Sequence, residues 1–222
     1  METRQRDLVV TENMTLDGVI DLADGWFSPA GADATFDQSD VDDARREQGG
    51  AADAFLVGRV TFEQMRGYWP LQTDDTTGIT DYLNNVAKYV VSGTVDDPEW
   101  EHTTVLRGPL LDEIRTLKAS VGKDIVWTGS IMLVHALTAA GLVDEYRLFV
   151  YPVVVGRGEP LFAGGAAVPK LHLIENRPFS LGHCSASLPR RLTHLALKGR
   201  NGATHLDMVR TELERSKDVA VS

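Results

Sequence analysis

A single cysteine, Cys184, stands in 222 residues, so the chain has no internal disulfide framework and no thiolate metal site. A reducing, cytoplasmic setting is the corresponding expectation. The six histidines, at positions 102, 135, 172, 183, 194 and 205, form no HExxH pair, which argues against a catalytic zinc centre. No stretch approaches the roughly 20 apolar residues of a membrane span. The opening METRQRDLVVTENMTLDG reaches acidic residues too early for the apolar core of an export signal, so a soluble, non-exported protein is expected. Basic residues number 22 against 32 acidic ones, and no Lys/Arg cluster offsets the net charge of -10, which argues against a nucleic-acid footprint. A Pro- or Ser-rich linker, an internal repeat and a GxGxxG loop are also missing.

What is present suits one well-filled core: 43% of residues are hydrophobic and 24% charged. Short β-branched runs read as strands at Leu8 to Thr11, Ala54 to Val57, Tyr89 to Ser92, Asp124 to Thr128 and Arg147 to Val153. Amphipathic stretches between them read as helices at Asp37 to Gln48, Thr61 to Arg66, Thr80 to Val86, Leu110 to Ser120 and Ser130 to Ala140, with Gly122 and Gly141 as stops. That alternation implies a mostly parallel sheet covered on both faces. LFVYPVVVG, apolar almost throughout, suits a central strand buried on both sides. Beyond residue 180 the chain turns polar and weakly periodic, and 181–222 is open to a last strand, a partner-binding arm or a disordered tail.

Three strand-to-turn junctions could carry chemistry. In Val57-Gly58-Arg59-Val60-Thr61 an apolar strand runs through Gly58 into a helix start, where free amides, close backbone approach and Arg59 suit phosphate; a surface Arg beside an ordinary N-cap reads the same way. Ser92-Gly93-Thr94 brings hydroxyls to a strand end, as commonplace turns also do. Trp127-Thr128-Gly129-Ser130-Ile131 repeats the first arrangement, with Ser130 as a cap and the backbone free to cradle a pyrophosphate. Three such turns on one sheet make a shared dinucleotide crevice more plausible than each alone.

At these residues the chain resembles the dihydrofolate reductase-like family, and more closely the branch containing the reductase domain of bifunctional riboflavin-biosynthesis proteins, the RibD C-terminal type. The matches are NMTLDGVI at 13–20, LVGRVTFEQM at 56–65 with YWP at 68–70, KYVVSGT at 88–94 and WTGSIMLVHALTAAGLVDEYRLFVYPVVVGRGEPLF at 127–162, together spanning residues 8 to about 178. The resemblance implies a three-layer α/β fold, a twisted and mostly parallel sheet with helices on both faces, over residues 1–180, with 181–222 a divergent C-terminal segment. It also implies NADPH across the strand ends and a homodimer. On matching positions Gly58, Arg59 and Thr61 would meet cofactor phosphates, Ser92 and Thr94 the adenosine half, and Thr128, Gly129, Ser130 and Ile131 the pyrophosphate turn. Asp17 and Gly18 would lie near the nicotinamide, and Asp144 and Glu145 would shape the turn before the central strand. The chain departs from the family at Thr128, where a second glycine is common, at Gly93, where a basic residue is common, and after Ser180, where no apolar closing strand follows.

The implied activity is hydride transfer to a small heterocyclic, carbonyl or imine substrate, of the dihydrofolate or 5-amino-6-(5-phosphoribosylamino)uracil kind. Asp17, Asp37 and Asp40 are the candidate acids, although Asp residues opening a helix are favoured by capping alone. Trp26, Phe27 and Trp69 are candidates to line a pocket for a flat ring, or are plain packing. No convincing set of basic residues marks a ribose-phosphate site, and a non-catalytic dinucleotide-binding or sensor protein on the same fold stays open.

Overall fold

The computed structural model describes residues 5–23, 25–27, 39–163, 170–180 and 182–190. Strands β1 (Leu8–Thr15), β2 (Ala52–Gly58), β3 (Ala87–Val91), β4 (Thr103–Leu106), β5 (Asp124–Trp127), β6 (Glu145–Tyr151), β7 (Glu175–Pro178) and β8 (Cys184–Pro189) form one sheet in the order β4-β3-β2-β5-β1-β6-β8-β7. Every pairing from β4 to β6 is parallel, and β8 runs antiparallel to both β6 and β7. Among the described residues the helices are α1 (Ser39–Gly50), α2 (Arg59–Arg66), α3 (Ile79–Asn85), α4 (Leu110–Ala119) and α5 (Ile131–Ala139), with one 3-10 turn at Trp69–Leu71.

Side-chain alternation along the strands explains the layering. Leu8 and Val10 of β1, Ala54 and Leu56 of β2 and Ile125 and Trp127 of β5 face one way, against Ile114 of α4 and Leu133 and Leu137 of α5. Phe55 and Val57 of β2 point the other way, towards Phe62 of α2 and Leu83 of α3, while Phe149 of β6 meets Val41 and Ala44 of α1. Both faces are therefore covered, as parallel strands buried on two sides require. Among the described residues no helix is long and apolar enough to cross a membrane.

Several expectations are corrected. β1 continues to Thr15, past the expected end at Thr11, because Glu12, Asn13 and Met14 stay in register with Leu148, Phe149 and Val150 of β6. β6 stops at Tyr151, where Pro152 opens a bend, and Val153 and Val154 are 36% and 70% exposed rather than buried. Gly122 is no helix stop: α4 ends at Ala119 with Ser120 as its cap, and Gly122 instead leaves room for the Arg6–Asp53 ion pair, since a Cβ there would lie 2.8 Å from Arg6 Cζ. Gly141 is one, at φ +66, with its amide donating to Thr138 O. Past Ser180, residues 184–189 form a strand paired with β6, although its small polar side chains hid it; the rest of 181–222 lies outside the described residues, apart from Gly182, His183 and Arg190.

Asp144 accepts hydrogen bonds from the Leu8 amide, at 2.8 Å, and from the buried Lys118 ammonium, so it pins the start of β1 to the turn before β6. Glu145 pairs with Arg147 of its own strand and accepts from Ser187. Both acids are thereby committed to the sheet. Leu137, fully buried on α5, supports the same core. We expect Leu137→Ala to cost about 2–5 kcal/mol in urea unfolding, whereas Val121→Ala, at a position 89% exposed, should change stability by under about 0.5 kcal/mol.

Candidate functional site

A cavity of about 860 Å³ opens at the C-terminal ends of β1 and β5, between the start of α5 and the helices α1 and α3. Its polar wall is built from Thr61 of α2 and the turn Thr128–Ile131, and its floor includes Thr11, Glu12 and Asn13 of β1. Phe27, Trp69, Tyr82 and Phe149 supply aromatic walls, with Arg45 and Arg46 of α1 at the rim.

The polar wall depends on two glycines. β2 and β5 are neighbours with Leu56 opposite Trp127, so the last two residues of β2 run alongside the turn that follows β5. The Gly58 amide donates to Ser130 Oγ at 2.9 Å, and Thr61 Oγ1 lies 3.3 Å from the same hydroxyl. A Cβ on Gly58 would come within 2.2 Å of Ser130 Oγ, and one on Gly129 within 2.8 Å of Thr61 Cγ2. Gly129 and Ser130 take consecutive left-handed conformations, φ +68 and +60, which turn the chain abruptly into α5. The starts of α2 and α5, each with amides that lack intrahelical acceptors, are thus brought together.

Of the expected cofactor residues, Thr61, Thr128, Gly129, Ser130 and Ile131 line the cavity, and Gly58 packs directly behind Ser130. Arg59 does not line it; its guanidinium pairs with Glu63 at 2.9 Å along the exposed side of α2. Ser92 and Thr94 also lie apart from the lining, where Ser92 Oγ accepts from the Thr94 and Val95 amides and closes its own turn. Phe27 and Trp69 reach the cavity, whereas Trp26 stands behind Phe27, at a ring separation of 5.8 Å, with its indole donating to Asp21 O.

The expected acids are placed elsewhere. Asp17 accepts from Thr15 Oγ1 at 2.6 Å and from the Gly156 amide at 2.7 Å, bonds that hold its carboxyl below the usual range and stitch the loop after β1 to the loop after β6. Asp40 accepts from the hydroxyl and amide of Ser180 at 2.7 and 2.8 Å, and these lower its pKa as well. Neither lines the cavity. Asp37 lies outside the described residues.

Glu12 is the acid that sequence reasoning missed. It is 7% exposed, and its Oε1 accepts from the Gly129 amide at 2.8 Å. Burial pushes its carboxyl from 4.5 up to about 8, with the Gly129 hydrogen bond pulling part of the way back. The uncharged form is thus favoured by folding, and stability present below about pH 4.5 is lost as pH rises through about 8. A charged residue two places beyond Val10, on the strand face of the buried Leu8 and Val10, was the available signal. Thr11 Oγ1, Asn13 Oδ1 and Tyr82 OH also belong to cavity-lining residues and are buried without a hydrogen-bond partner. These orphaned groups, with a turn that tolerates no added Cβ, fit a planar amide or heterocycle bound beside an anion.

A family model described as RibD C-terminal domain matches residues 6–184. The chain is 30% identical, over 81% of its own length and 92% of the relative, to the uncharacterized protein YyaP of Bacillus subtilis (strain 168). Solved structures share the fold at lower identity. A pyrimidine reductase-like protein from Corynebacterium diphtheriae superposes with TM-score 0.57 at 16% identity, over 84% of this chain and 92% of that one. Dihydrofolate reductase from Enterococcus faecalis, complexed with NADP(H) and RAB-propyl, gives TM-score 0.56 at 18% identity, over 84% and 98%.

Because Gly129 combines a left-handed φ with the Thr61 contact, Gly129→Ala should destabilise the protein by about 1–3 kcal/mol in urea unfolding. Gly93→Ala, with open space around the new Cβ and no positive φ, should stay within about 0.5 kcal/mol of wild type.

Proposed function

The chain belongs to the RibD C-terminal domain family, and on that premise we propose that it is a reductase binding NADPH in this cavity and delivering hydride to a small heterocyclic, carbonyl or imine substrate. The observation that carries the reading is the Gly58–Ser130 hydrogen bond, which brings two helix starts together beside a cavity large enough for a flat ring. Free amides at the start of α5 and the Thr61 hydroxyl suit a pyrophosphate. Arg59 can leave Glu63 for a cofactor phosphate at little cost, since exposed pairs contribute under about 1 kcal/mol, and this pair is about half exposed at both partners.

When bound, NADPH supplies the hydride from its reduced nicotinamide. The chain's own task is to orient the acceptor against it and exclude water. Phe27, Trp69, Tyr82 and Phe149 offer faces for a planar acceptor, and Thr11, Asn13 and Tyr82 offer hydrogen-bonding atoms that have no protein partner. A ligand that partners such a group recovers about 1–3 kcal/mol otherwise lost to desolvation. The arginines at the rim pair within their own helix, Arg45 with Asp42 and Arg46 with Asp43.

Fluorescence titration tests the reading, because the fully buried Trp127 donates its indole N–H to Gly129 O at 2.9 Å. We expect NADPH to quench this emission and Arg59→Ala to weaken NADPH about tenfold or more while leaving NADH nearly unchanged, the loss matching one charged hydrogen bond. Binding followed by NADPH oxidation with a carbonyl or dihydropterin acceptor supports a reductase. Binding with no oxidation by any acceptor supports a sensor, and no binding of either nucleotide contradicts the cavity's assignment.

A further inference from the structure

Glu12 is not needed to close the sheet, since the β1–β6 register runs through it by backbone alone. Its side chain does something more specific. By alternation it lies on the same face of β1 as Val10, towards α5, yet it also lines the cavity and ties up the Gly129 amide at the turn. An amide so engaged is withdrawn from any ligand, which leaves the following amides, at Ser130 and the first turn of α5, to meet one. We propose that Glu12 is the positioning residue of the Gly129–Ser130 turn and that an anionic dinucleotide binds there with Glu12 in its uncharged form.

The inference rests on the cavity being a dinucleotide site. Given that, the electrostatics have one sign. A carboxylate behind the turn would oppose a diphosphate in front of it across a poorly solvated wall, whereas the neutral acid accepts the Gly129 hydrogen bond without that repulsion. Burial keeps the neutral form dominant up to about pH 8. Among the described residues, the elements around Glu12 supply no compensating cation. On the same face β5 presents Ile125 and Trp127, and β6 presents Leu148 and Tyr146, the latter with its hydroxyl near Thr138. The titratable residue of α5 is His135, whose Nε2 meets Pro160 O. Across the cavity the titratable groups are Tyr68, Tyr82, Arg45 and Arg46, the arginines paired within α1. Binding therefore draws a proton onto Glu12 whenever the free protein has released it.

The test measures NADPH affinity of the full-length protein by fluorescence between about pH 6 and pH 10, for wild type and Glu12→Gln, whose amide carbonyl can still accept from Gly129. Wild-type affinity is expected to hold steady at low pH and fall about tenfold per unit above about pH 8, one proton being linked to binding. The variant should bind within about threefold of wild type near neutral pH and lose the dependence. Calorimetry of the wild type alone, near pH 9 in two buffers of different ionisation enthalpy, should record proton uptake, a result that does not depend on the variant folding. A wild type whose affinity is flat to pH 10, a variant with the same decline, or binding without proton uptake overturns the role of Glu12 and leaves the dinucleotide site standing. A wild type that binds no NADPH at any pH overturns the site itself, and the inference with it.

Discussion

The hydrogen bond from the Gly58 amide to Ser130 Oγ ties together the two turns on which the rest of the cavity depends. It forms because β2 and β5 are parallel neighbours with Leu56 opposite Trp127, so Gly58 at the end of β2 comes alongside the turn after β5 and the helices that follow start near one another. Glycine is required at both contact points, at Gly58 for space and at Gly129 for space and backbone conformation together. Backbone approach this close, at the carboxyl end of a parallel sheet, makes a surface of amides that attracts anions.

Polar groups around this point divide by what they are bonded to. Asp17, Ser92 and Asp144 are satisfied by backbone amides or side chains of the protein, as is Oδ2 of Asp40, and their work is to hold loops and strand ends in place. Thr11, Asn13 and Tyr82 keep buried atoms without partners at the cavity wall. Buried polar groups in folded proteins are nearly always paired, so these three, which share one cavity where Asp40 Oδ1, Thr80 Oγ1, His183 Nε2 and Arg190 Nε do not, are groups whose bonding a ligand would complete. Glu12 stands between these classes, bonded to the turn yet desolvated enough to stay uncharged near neutral pH.

The parallel core was legible because continuous apolar strands and amphipathic helices carry different periods, and the glycine turns were legible because strand, small residue and helix start follow one another in sequence. The outer strands were not. β4 is four residues long and half exposed, and β8 opens with Cys, Ser, Ala and Ser, which bear no strand signature until β6 is there to pair with them. In the candidate site, Thr61, Gly129 and Ser130 line the cavity as expected, while the expected acids Asp17 and Asp40 do not and Glu12, which was not expected, does. Asp17 and Asp40 read as chemistry because loops and helix starts commonly present it, while Glu12 lay past the point where strand β1 was expected to end. Its importance is a matter of burial, and burial here arises from β6 and α5, more than 110 residues away by the Gly129 contact.

Hydrogen–deuterium exchange of the full-length protein with and without saturating NADPH addresses the joined turns most directly, because it reads the backbone amides themselves. Slower exchange in peptides covering Arg59–Thr61 and Ser130–Met132, with the outer strands β4 and β7 unchanged, is the result predicted for a dinucleotide held where α2 and α5 begin. Protection confined to other segments, with both turns exchanging as in the free protein, would contradict it.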